Sequence, residues 1–321
     1  MLKKIALRKI AVASSILLIM LMLYLIPANN EEIDINKQTL EYVYPNDLEV
    51  IYLLDSNNYL SRTRISASNK DEISKVKDLI ESLTINGSKK DILPNGFKPL
   101  LPSGTKLIEI NLNNDTLMLN FSKEFNNIES IYEEKLIESL IYTLTSIKGI
   151  NKIEIYIEGN KLEYLPNSKT KLPEYLDRHY GINKKYELSS LKDIDSYTIY
   201  YVFNYNNDTY YTPVTKYINN DNQDKVKIII DELASSLTYE TNLMSYLDSN
   251  VKLLDYKLEE DSIKLNFNDL ILSDITSNLI LEEVMYTIGL SLCNELDITE
   301  VIFEVNNREI STFSLKSVDL K

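Results

Sequence analysis

The sequence predicts an α+β protein with two tandem ββαββαβ domains, each an antiparallel sheet with helices on one face, after an N-terminal transmembrane helix. The triplet Leu-Asn-Phe occurs at 119–121 and again at 265–267. The separation, about 146 residues, is too long for a solenoid repeat and suits a pair of domains. Strand-like alternation precedes each triplet, and helical spacing follows it. These helices are amphipathic rather than apolar all round, which predicts that they cover one face of a sheet.

The N-terminal region, residues 1–28, predicts a membrane anchor. Four basic residues precede an uncharged, apolar run from Ile10 to Ile26, and acidic residues follow within 31–34. This order predicts a cytoplasmic N-terminus and an extracytoplasmic remainder. As a helix, the run spans roughly 25 Å, slightly less than the hydrocarbon core, and its flanks can supply the difference. No cysteine follows the run, so the sequence excludes a lipoprotein.

A cleaved signal peptide is the alternative to an anchor. Ala28 offers a small residue for cleavage, but the polar region that normally precedes a cleavage site is almost missing. Residues 29–47 are mostly polar and include Pro45, which discourages regular structure, so they are interpreted as a tether.

The first domain is predicted to span residues 48–163. Its second helix is predicted from a wide apolar stripe, and Gly149 is expected to end that helix in a left-handed conformation. In order, the predicted elements are two strands within Val50–Ile65, a helix over 71–84, a loop over 85–105, a hairpin that turns at Asn113–Asp115, a helix over 129–148 and a strand from Ile153 to Glu158.

Residues 164–196 are predicted to link the domains without a periodic element, and residues 314–321 form a tail. The second domain is predicted to span 197–313. Its predicted elements are a hairpin over Thr198–Ile218, a helix over 224–237, a hairpin from Leu253 to Phe267, a helix over 278–293 and a strand from Val301 to Val305. The tripeptides YTL at 142–144 and YTI at 286–288 extend the repeat.

Composition and charge exclude some classes of function. The formal net charge of −14 produces a surface that repels phosphate backbones, so nucleic-acid binding is not expected. One cysteine, Cys293, cannot form an intrachain disulfide.

The sequence predicts no catalytic residue, cofactor or metal ligand. The only histidine, His179, lies in the polar linker and is interpreted as a surface residue, because zinc sites and triads need more partners. Cys293 lies on the apolar side of a helix and is interpreted as a core residue. The pairs Glu133-Glu134 and Glu282-Glu283 are predicted on solvent-exposed helix faces rather than in a glycosidase cleft.

Two further features were weighed as binding sites. The acidic turns Asn204–Asp208 and Asn219–Asp224 offer oxygen ligands for Ca²⁺ but lack the EF-hand pattern. The tyrosine-rich stretch Tyr197–Tyr217 is interpreted as the packing surface of a strand, with a partner contact as the alternative.

Several segments resemble the GerMN domain, a sporulation and spore-germination module with a ring-building-motif-like fold. The matching segments of the first copy are YLSRTRI at 59–65, LPSGTKLIEINL at 101–112, LNFSKEF at 119–125, YTLTSI at 142–147 and IEIYIEG at 153–159. Those of the second copy are TYYTPVTKYI at 209–218, DSIKLNF at 261–267 and VIFEVNN at 301–307. The second copy departs from the pattern because it lacks the Pro-Ser-Gly-Thr turn and the closing glycine.

The resemblance implies a non-enzymatic scaffold or assembly protein in sporulation or spore germination. Its expected partners are proteins of an envelope or sporulation complex, with self-association as an alternative, and the membrane through residues 10–26. Its expected location is the extracytoplasmic side of a membrane, or the space between mother cell and forespore. Because the first copy keeps its Pro-Gly turn, the loop over 86–105 is the expected partner site. Relatives are commonly lipoproteins, so a transmembrane anchor leaves open a role at the ordinary cell envelope.

Two other functions remain as alternatives. One is an envelope enzyme that acts on wall material through carboxylates, which requires a convergent pair of acids in a pocket. The other is an extracytoplasmic receptor, which requires a pocket between the two domains lined by tyrosine.

Overall fold

A computed structural model describes most of the chain after the predicted tether. The described residues are 48–67, 71–206, 208–219, 223–235, 242–274, 276 and 278–315. The predicted anchor and tether, residues 1–47, lie outside them, as does most of the predicted tail. Within the described ranges, no helix is both long and apolar enough to cross a membrane.

The first copy follows the predicted order of strands and helices and adds a short final strand. Its elements are β1 (Leu48–Leu54), β2 (Leu60–Ser66), α1 (Glu72–Leu83), β3 (Leu107–Asn113), β4 (Thr116–Phe121), α2 (Glu133–Leu144), β5 (Lys152–Ile157) and β6 (Asn160–Lys161). Helix α1 begins at the N-cap Asp71, whose side chain accepts a hydrogen bond from the Ser74 backbone N–H. Helix α2 is shorter than predicted, because a 3₁₀ turn at Ser130–Tyr132 precedes it.

The linker contributes one strand, and the second copy repeats the order with further strands that were not predicted. These elements are β7 (Lys185–Glu187), β8 (Ile194–Tyr205), β9 (Asp208–Asn219), α3 (Lys225–Ala234), β10 (Leu253–Leu258), β11 (Ser262–Phe267), β12 (Leu272–Asp274), β13 (Leu279–Ile280), α4 (Glu282–Leu296), β14 (Glu300–Val305) and β15 (Arg308–Ser314).

The prediction of antiparallel sheets was wrong, because each copy contains a mixed sheet. Strands β3-β4-β5-β6 form one sheet and β10-β11-β14-β15 form its counterpart. Strand β4 pairs with β5 in parallel, and β11 pairs with β14 in parallel. The hairpins were predicted correctly, but helices α2 and α4 are crossover connections, and a helical crossover brings the next strand back in the same direction.

The helices lie between two layers of strands rather than on one face of a single sheet. Helix α2 contacts β1 of the first hairpin and β5 of the mixed sheet, and α4 contacts β8 and β14 in the same way. Ten of the twelve residues of α2 are buried. A helix covered on both sides has little solvent-exposed surface, so the amphipathic pattern underestimated its burial.

The hairpins of the two copies form one sheet. Strand β2 pairs with β9 in antiparallel fashion at Arg62 and Tyr211, which gives the order β1-β2-β9-β8. The hydroxyls of Ser61 and Thr212 are hydrogen-bonded across this junction. Further along, β9 pairs in parallel with β7 of the linker. The copies are therefore joined through backbone pairing, and residues 43–321 form one compact unit.

Each copy has its own hydrophobic core. The first core includes Phe121, Leu140 and four buried residues of the linker region, namely Leu165, Leu172, Leu176 and Ile182. The second core includes Phe267 and Phe303. Tyr210 packs against both cores. The linker thus contributes to the first core, although no periodic pattern in its sequence indicated this.

Candidate functional site

The asparagine of the repeated Leu-Asn-Phe triplet holds the turn that ends each mixed sheet. Asn120 Oδ1 accepts a hydrogen bond from the Gly159 backbone N–H at 3.0 Å. In the second copy, Asn266 Oδ1 accepts one from the Asn307 N–H at 3.1 Å. The leucine and phenylalanine of each triplet are fully buried. The triplet is therefore a structural motif: two core residues flank a polar residue that fixes the turn after the neighbouring parallel strand.

The turn itself is the same in both copies, despite the missing glycine. Both of its residues have positive φ, 48° and 80° at Glu158-Gly159 and 52° and 59° at Asn306-Asn307. Two residues with positive φ make the hairpin turn that suits the twist of antiparallel strands, and asparagine tolerates this conformation better than most residues. The loss of the glycine thus leaves the backbone geometry of the turn intact. The Asn-Asn dipeptide was also the sequence signal for β15.

The residue after each triplet holds the start of the edge strand. Ser122 donates its backbone N–H to the Lys106 carbonyl, and its Oγ accepts the Lys106 N–H. Asn268 forms the same pair of hydrogen bonds with Lys252. The serine predicted to break the strand is therefore also a clamp on the neighbouring strand.

Hydroxyls from the central helices satisfy the outer edge of each hairpin. Thr143 Oγ1 accepts the Tyr52 backbone N–H at 3.0 Å, and Ser139 donates its hydroxyl to the Tyr52 carbonyl at 2.7 Å. Ser291 Oγ accepts the Tyr200 N–H at 2.9 Å. These contacts occupy backbone groups that an added strand would otherwise use.

The same hydrogen bonds show that YTL and YTI do not occupy equivalent positions. Thr143 and Ser291 perform the same role, whereas Thr287 lies one helical turn earlier and donates to the Val284 carbonyl. Strands β5 and β14 are 148 residues apart, two more than the Leu-Asn-Phe triplets. The extra residues precede α4, so the sequence match was one turn out of register.

Arg178 of the linker joins the C-terminal ends of the two central helices. Its Nε donates to Thr145 Oγ1 at 3.0 Å, and Nη2 donates to Ser146 Oγ at 2.9 Å, both just after α2. Nη1 donates to Asn294 Oδ1 of α4 at 2.9 Å. The guanidinium lies 5.0 Å from the centre of the Tyr142 ring. Carbonyl ends of helices carry partial negative charge, which stabilises a cation at this position.

Two glutamates on α2 hold the linker against the first copy. Glu133, predicted on a solvent-exposed face, is only 2% exposed and accepts the backbone N–H groups of Asn167 and Ser168. Glu138 is also buried and accepts the Asn183 N–H at 2.9 Å. The prediction for Glu133 was wrong because the linker covers this face of the helix, which the helix's own sequence does not reveal.

Asn183 connects both copies at the point where β2 and β9 diverge. Its side-chain amide donates to the carbonyls of Leu60 and Pro213 at 2.8 and 2.7 Å, and its Oδ1 accepts the Leu60 N–H at 2.9 Å. Burial raises the pKa of the neighbouring Glu138 to about 7, while the Asn183 N–H and the Lys184 ammonium act in the opposite direction. This cluster lies within the joint between the copies.

A cavity of about 680 Å³ lies between the two copies, and we call it the central cavity. Tyr52 and Tyr200 line it, and their hydroxyls are 3.0 Å apart. Burial raises the pKa of the Tyr200 hydroxyl, which therefore stays protonated at neutral pH. Arg62, Lys152 and Arg178 also line the cavity. These two tyrosines belong to the hairpins, not to the linker, and each copy supplies one of them.

The loop over 86–105 is partly structural. Phe97 and Leu101 are buried in the first core, and the Phe97 ring packs edge-on against Tyr210 at 4.7 Å. A side chain at Gly96, whose φ is +87°, would collide with the ring of Tyr205. This half of the loop holds the second hairpin in place.

The other half of the loop borders solvent. Ile85 and Ile92 are 38% and 45% exposed. A second cavity, of about 540 Å³, lies between residues 84–88 and the Pro-Ser-Gly-Thr turn, and we call it the turn pocket. Thr105 Oγ1 in this pocket is buried and has no hydrogen-bond partner among the described residues.

The single-residue candidates lie outside the central arrangement or serve packing. His179 is almost fully exposed and contacts Asp177. Cys293 is buried, and burial raises the pKa of its thiol to about 12, which suppresses the nucleophilic thiolate. Glu282 is exposed, as predicted, and Glu283 is half-buried. Within the described ranges, no three His, Cys, Asp or Glu side chains are placed to hold a metal.

The tyrosine-rich stretch Tyr197–Tyr217 is mainly a packing surface. Tyr197, Tyr200 and Tyr201 are buried in β8, whereas Tyr211 stacks on Tyr286 of α4 at 5.1 Å. Of the two acidic turns considered for calcium, Asn219–Asp224 lies partly outside the described residues, and Asn204 instead bonds the hydroxyl of Tyr246.

Two like α+β modules joined through one sheet, with their buried charges committed to structural contacts, define a tandem-module structural protein. The family model described as "Germane: Sporulation and spore germination" matches residues 50–163 and 198–311. The chain therefore belongs to the Germane, or GerMN-domain, family. The sequence resemblance is confirmed.

Two relatives extend this result. The chain is 31% identical over 265 residues to the spore germination protein GerM of Bacillus subtilis (strain 168), covering 80% of this chain and 71% of the relative. It is also similar to the solved tandem GerMN domains of the sporulation protein GerM from Bacillus subtilis. That match has a TM-score of 0.75 and 30% identity and covers 81% of this chain and 91% of the solved one. The relatives have sporulation and germination names and no enzymatic name.

Proposed function

We propose that this protein is a non-enzymatic, membrane-anchored scaffold outside the cytoplasm, which helps to assemble an envelope-spanning complex in sporulation or spore germination. Membership of the sporulation and germination family supports the biological setting. The observation that carries the scaffold role is the joint between the copies. A shared sheet, Arg178 and Asn183 combine two modules into one body, which suits a part with fixed geometry.

The buried charged groups support a role without catalysis. Glu133 and Glu138 hold the linker, and Asp55 accepts hydrogen bonds from Asn57 and Tyr59 within its own turn. A glycosidase needs two carboxyl groups that face a common cleft with one pKa raised. Among the described residues, the carboxyl group with the clearly raised pKa, Glu138, faces the linker backbone instead. Wall hydrolysis by the purified protein would overturn this part of the proposal.

The proposed anchor rests on the apolar run from Ile10 to Ile26 and on the charges that flank it. Because Cys293 is buried, a membrane-impermeant maleimide should leave the native protein unlabelled. A Lys192→Cys variant places a thiol at an exposed site in the linker. We expect intact cells to show labelling of the variant only, in the membrane fraction. Labelling that requires cell lysis would contradict the extracytoplasmic location.

The partner is proposed to be a protein of the same complex. Crosslinking in sporulating cells, followed by mass spectrometry, should recover envelope proteins with this chain. The exposed half of the loop, residues 85–95, remains the predicted contact. Replacing it with a short glycine-serine linker should reduce crosslinking while the fold, measured by circular dichroism, persists. Normal spore yield, germination and complex assembly in a deletion strain would sink the sporulation role.

A further inference from the structure

The central cavity has the size of a ligand site and is built by both copies. Its volume, about 680 Å³, is within the range of small-molecule pockets. The ends of α2 and α4, the beginning of β5 and the hairpins all contribute to its walls. The cavity therefore exists only because the two modules are joined.

The cations of the cavity have no acidic partners. No carboxylate oxygen of a described residue lies within 4.0 Å of Arg62, Lys152 or Arg178. Elsewhere in the chain, Lys161 and Lys225 each pair with a glutamate. Three such cations in one cavity are notable in a chain with a net charge of −14, where carboxylates are abundant.

The acids of the cavity are already occupied. Glu295 accepts the Thr198 N–H at 2.8 Å and pairs with Lys225. Asp115 accepts a hydrogen bond from the Asn151 side chain, which lowers the pKa of its carboxyl group. The cavity thus has charged donors in excess and committed acceptors.

The three cations differ in how they are compensated. Arg178 is stabilised by the carbonyl ends of two helices and by the hydroxyl and amide oxygens that it contacts. Arg62 is half-buried on β2, where no helix terminus compensates its charge, and Lys152 lies at the beginning of β5, over the Tyr175 ring at 5.4 Å. Arg62 and Lys152 are therefore the charges left for a ligand.

We propose that the central cavity binds a small molecule that carries an oxyanion, either a carboxylate or a phosphate group. Arg62 and Lys152 supply the positive charge, and the hydroxyls of Tyr52 and Tyr200 lie beside them on the cavity wall. An oxyanion satisfies several N–H donors at once, and such charged hydrogen bonds are stronger than neutral ones. The site goes beyond the scaffold role, and neither proposal depends on the other.

Calorimetric titration of the full chain in detergent tests the site. The probes are succinate, citrate, inorganic phosphate and glycerol 3-phosphate, with neutral succinamide as the matched control and sodium chloride to equalise ionic strength. We expect saturable binding of at least one oxyanion and none of succinamide. The carboxylate and phosphate arms identify which group the site prefers.

Variants separate the site from general charge effects. Arg62→Gln should weaken oxyanion binding about tenfold, because one charged hydrogen bond is lost. Arg308→Gln, on the exposed start of β15, is the control and should bind like the native chain. Arg178→Gln is a poor test, because its loss also loosens the joint. Absence of saturable binding to every oxyanion, or equal losses in Arg62→Gln and Arg308→Gln, overturns the proposal.

Discussion

The two copies cover the same helix position with opposite chemistry. In the first copy, Glu138 on α2 accepts a backbone N–H from the linker. The position that corresponds to it on α4, 148 residues later, is Tyr286, which stacks on Tyr211 and packs edge-on against Phe313 of β15 at 5.3 Å. One copy buries a carboxyl group under a polar segment, whereas the other buries aromatic rings.

The difference follows from what the chain does after each mixed sheet. After β6, the first copy continues into the linker, which contains polar backbone and must find acceptors when it packs on α2. After β14, the second copy makes a hairpin and returns as β15, whose Phe313 packs on α4. Identical modules can therefore carry different buried residues when different segments cover them.

The largest expected effect concerns the aromatic side of this comparison. Phe313 is 4% exposed, and Phe313→Ala should lower the free energy of unfolding by about 3–5 kcal/mol, because it removes a ring and leaves a cavity. Urea unfolding followed by circular dichroism measures the loss. Phe313→Leu is the control and should retain most of the stability.

Gly289 gives an independent check of the same contact. A Cβ at Gly289 would lie 2.3 Å from the Phe313 ring, so Gly289→Ala in the native chain should destabilise by about 1–3 kcal/mol through overpacking. Combined with Phe313→Ala, the same change should cost nothing or stabilise the helix. An equal cost in both backgrounds would show that the ring does not occupy this position.

The polar side of the comparison is testable through pH. The pKa of Glu138 is about 7 in the folded protein and near its ordinary value of 4.5 when unfolded. Between these values the folded state binds more protons, so this group makes stability fall as pH rises from about 4.5 to 7. We expect a decrease of up to about 3 kcal/mol from this group, at 1.36 kcal/mol per pKa unit.

Glu138→Gln isolates that contribution. Glutamine keeps an oxygen that can accept the Asn183 N–H but does not titrate. Unfolding free energies at pH 5 and pH 7.5 should differ less in the variant than in the native chain. Tyr286 variants should show no such change. Equal pH dependence in Glu138→Gln and the native chain would show that the carboxyl group is not perturbed.

Much of the element order could be predicted from local sequence, because periodicity and turns are local signals. The relation between the copies could not, because it depends on contacts between distant segments. The pairing of β2 with β9 rests on two strands about 150 residues apart, and the burial of Glu133 rests on a linker without periodicity. The one-turn error between Thr287 and Ser291 arose because the tripeptide match ignored an insertion before α4.

The central arrangement was missed for the same reason. Arg178 was an ordinary residue of a polar linker in the sequence, and only the fold brings it between Thr145 and Asn294. A signal did exist for the joint as a pair of modules, because the repeat was visible. Nothing in the repeat indicated that the modules share a sheet.

Removal of Arg178 should have an intermediate effect that is confined to the joint. Arg178→Ala leaves the oxygens of Thr145 and Asn294 without their donor and should cost about 1–3 kcal/mol. Hydrogen exchange should increase at β2, β9 and the linker before it increases in either mixed sheet. The control Lys169→Ala alters an exposed linker residue. Uniform loss of protection across both copies would contradict a role specific to the joint.

The smallest effect tests where the copies are expected to be the same. Asn120→Ala and Asn266→Ala each remove the acceptor for a turn N–H, so each should lower the free energy of unfolding by about 1 kcal/mol. Because Asn266 also donates to the Asn307 side chain at 2.9 Å, its loss should be slightly larger. Asn160→Ala, in an exposed position beside the first turn, is the control. A large cost in one copy and none in the other would show that the triplet's asparagine serves one module only. In that case the repeated motif records common ancestry at that position rather than a shared structural requirement.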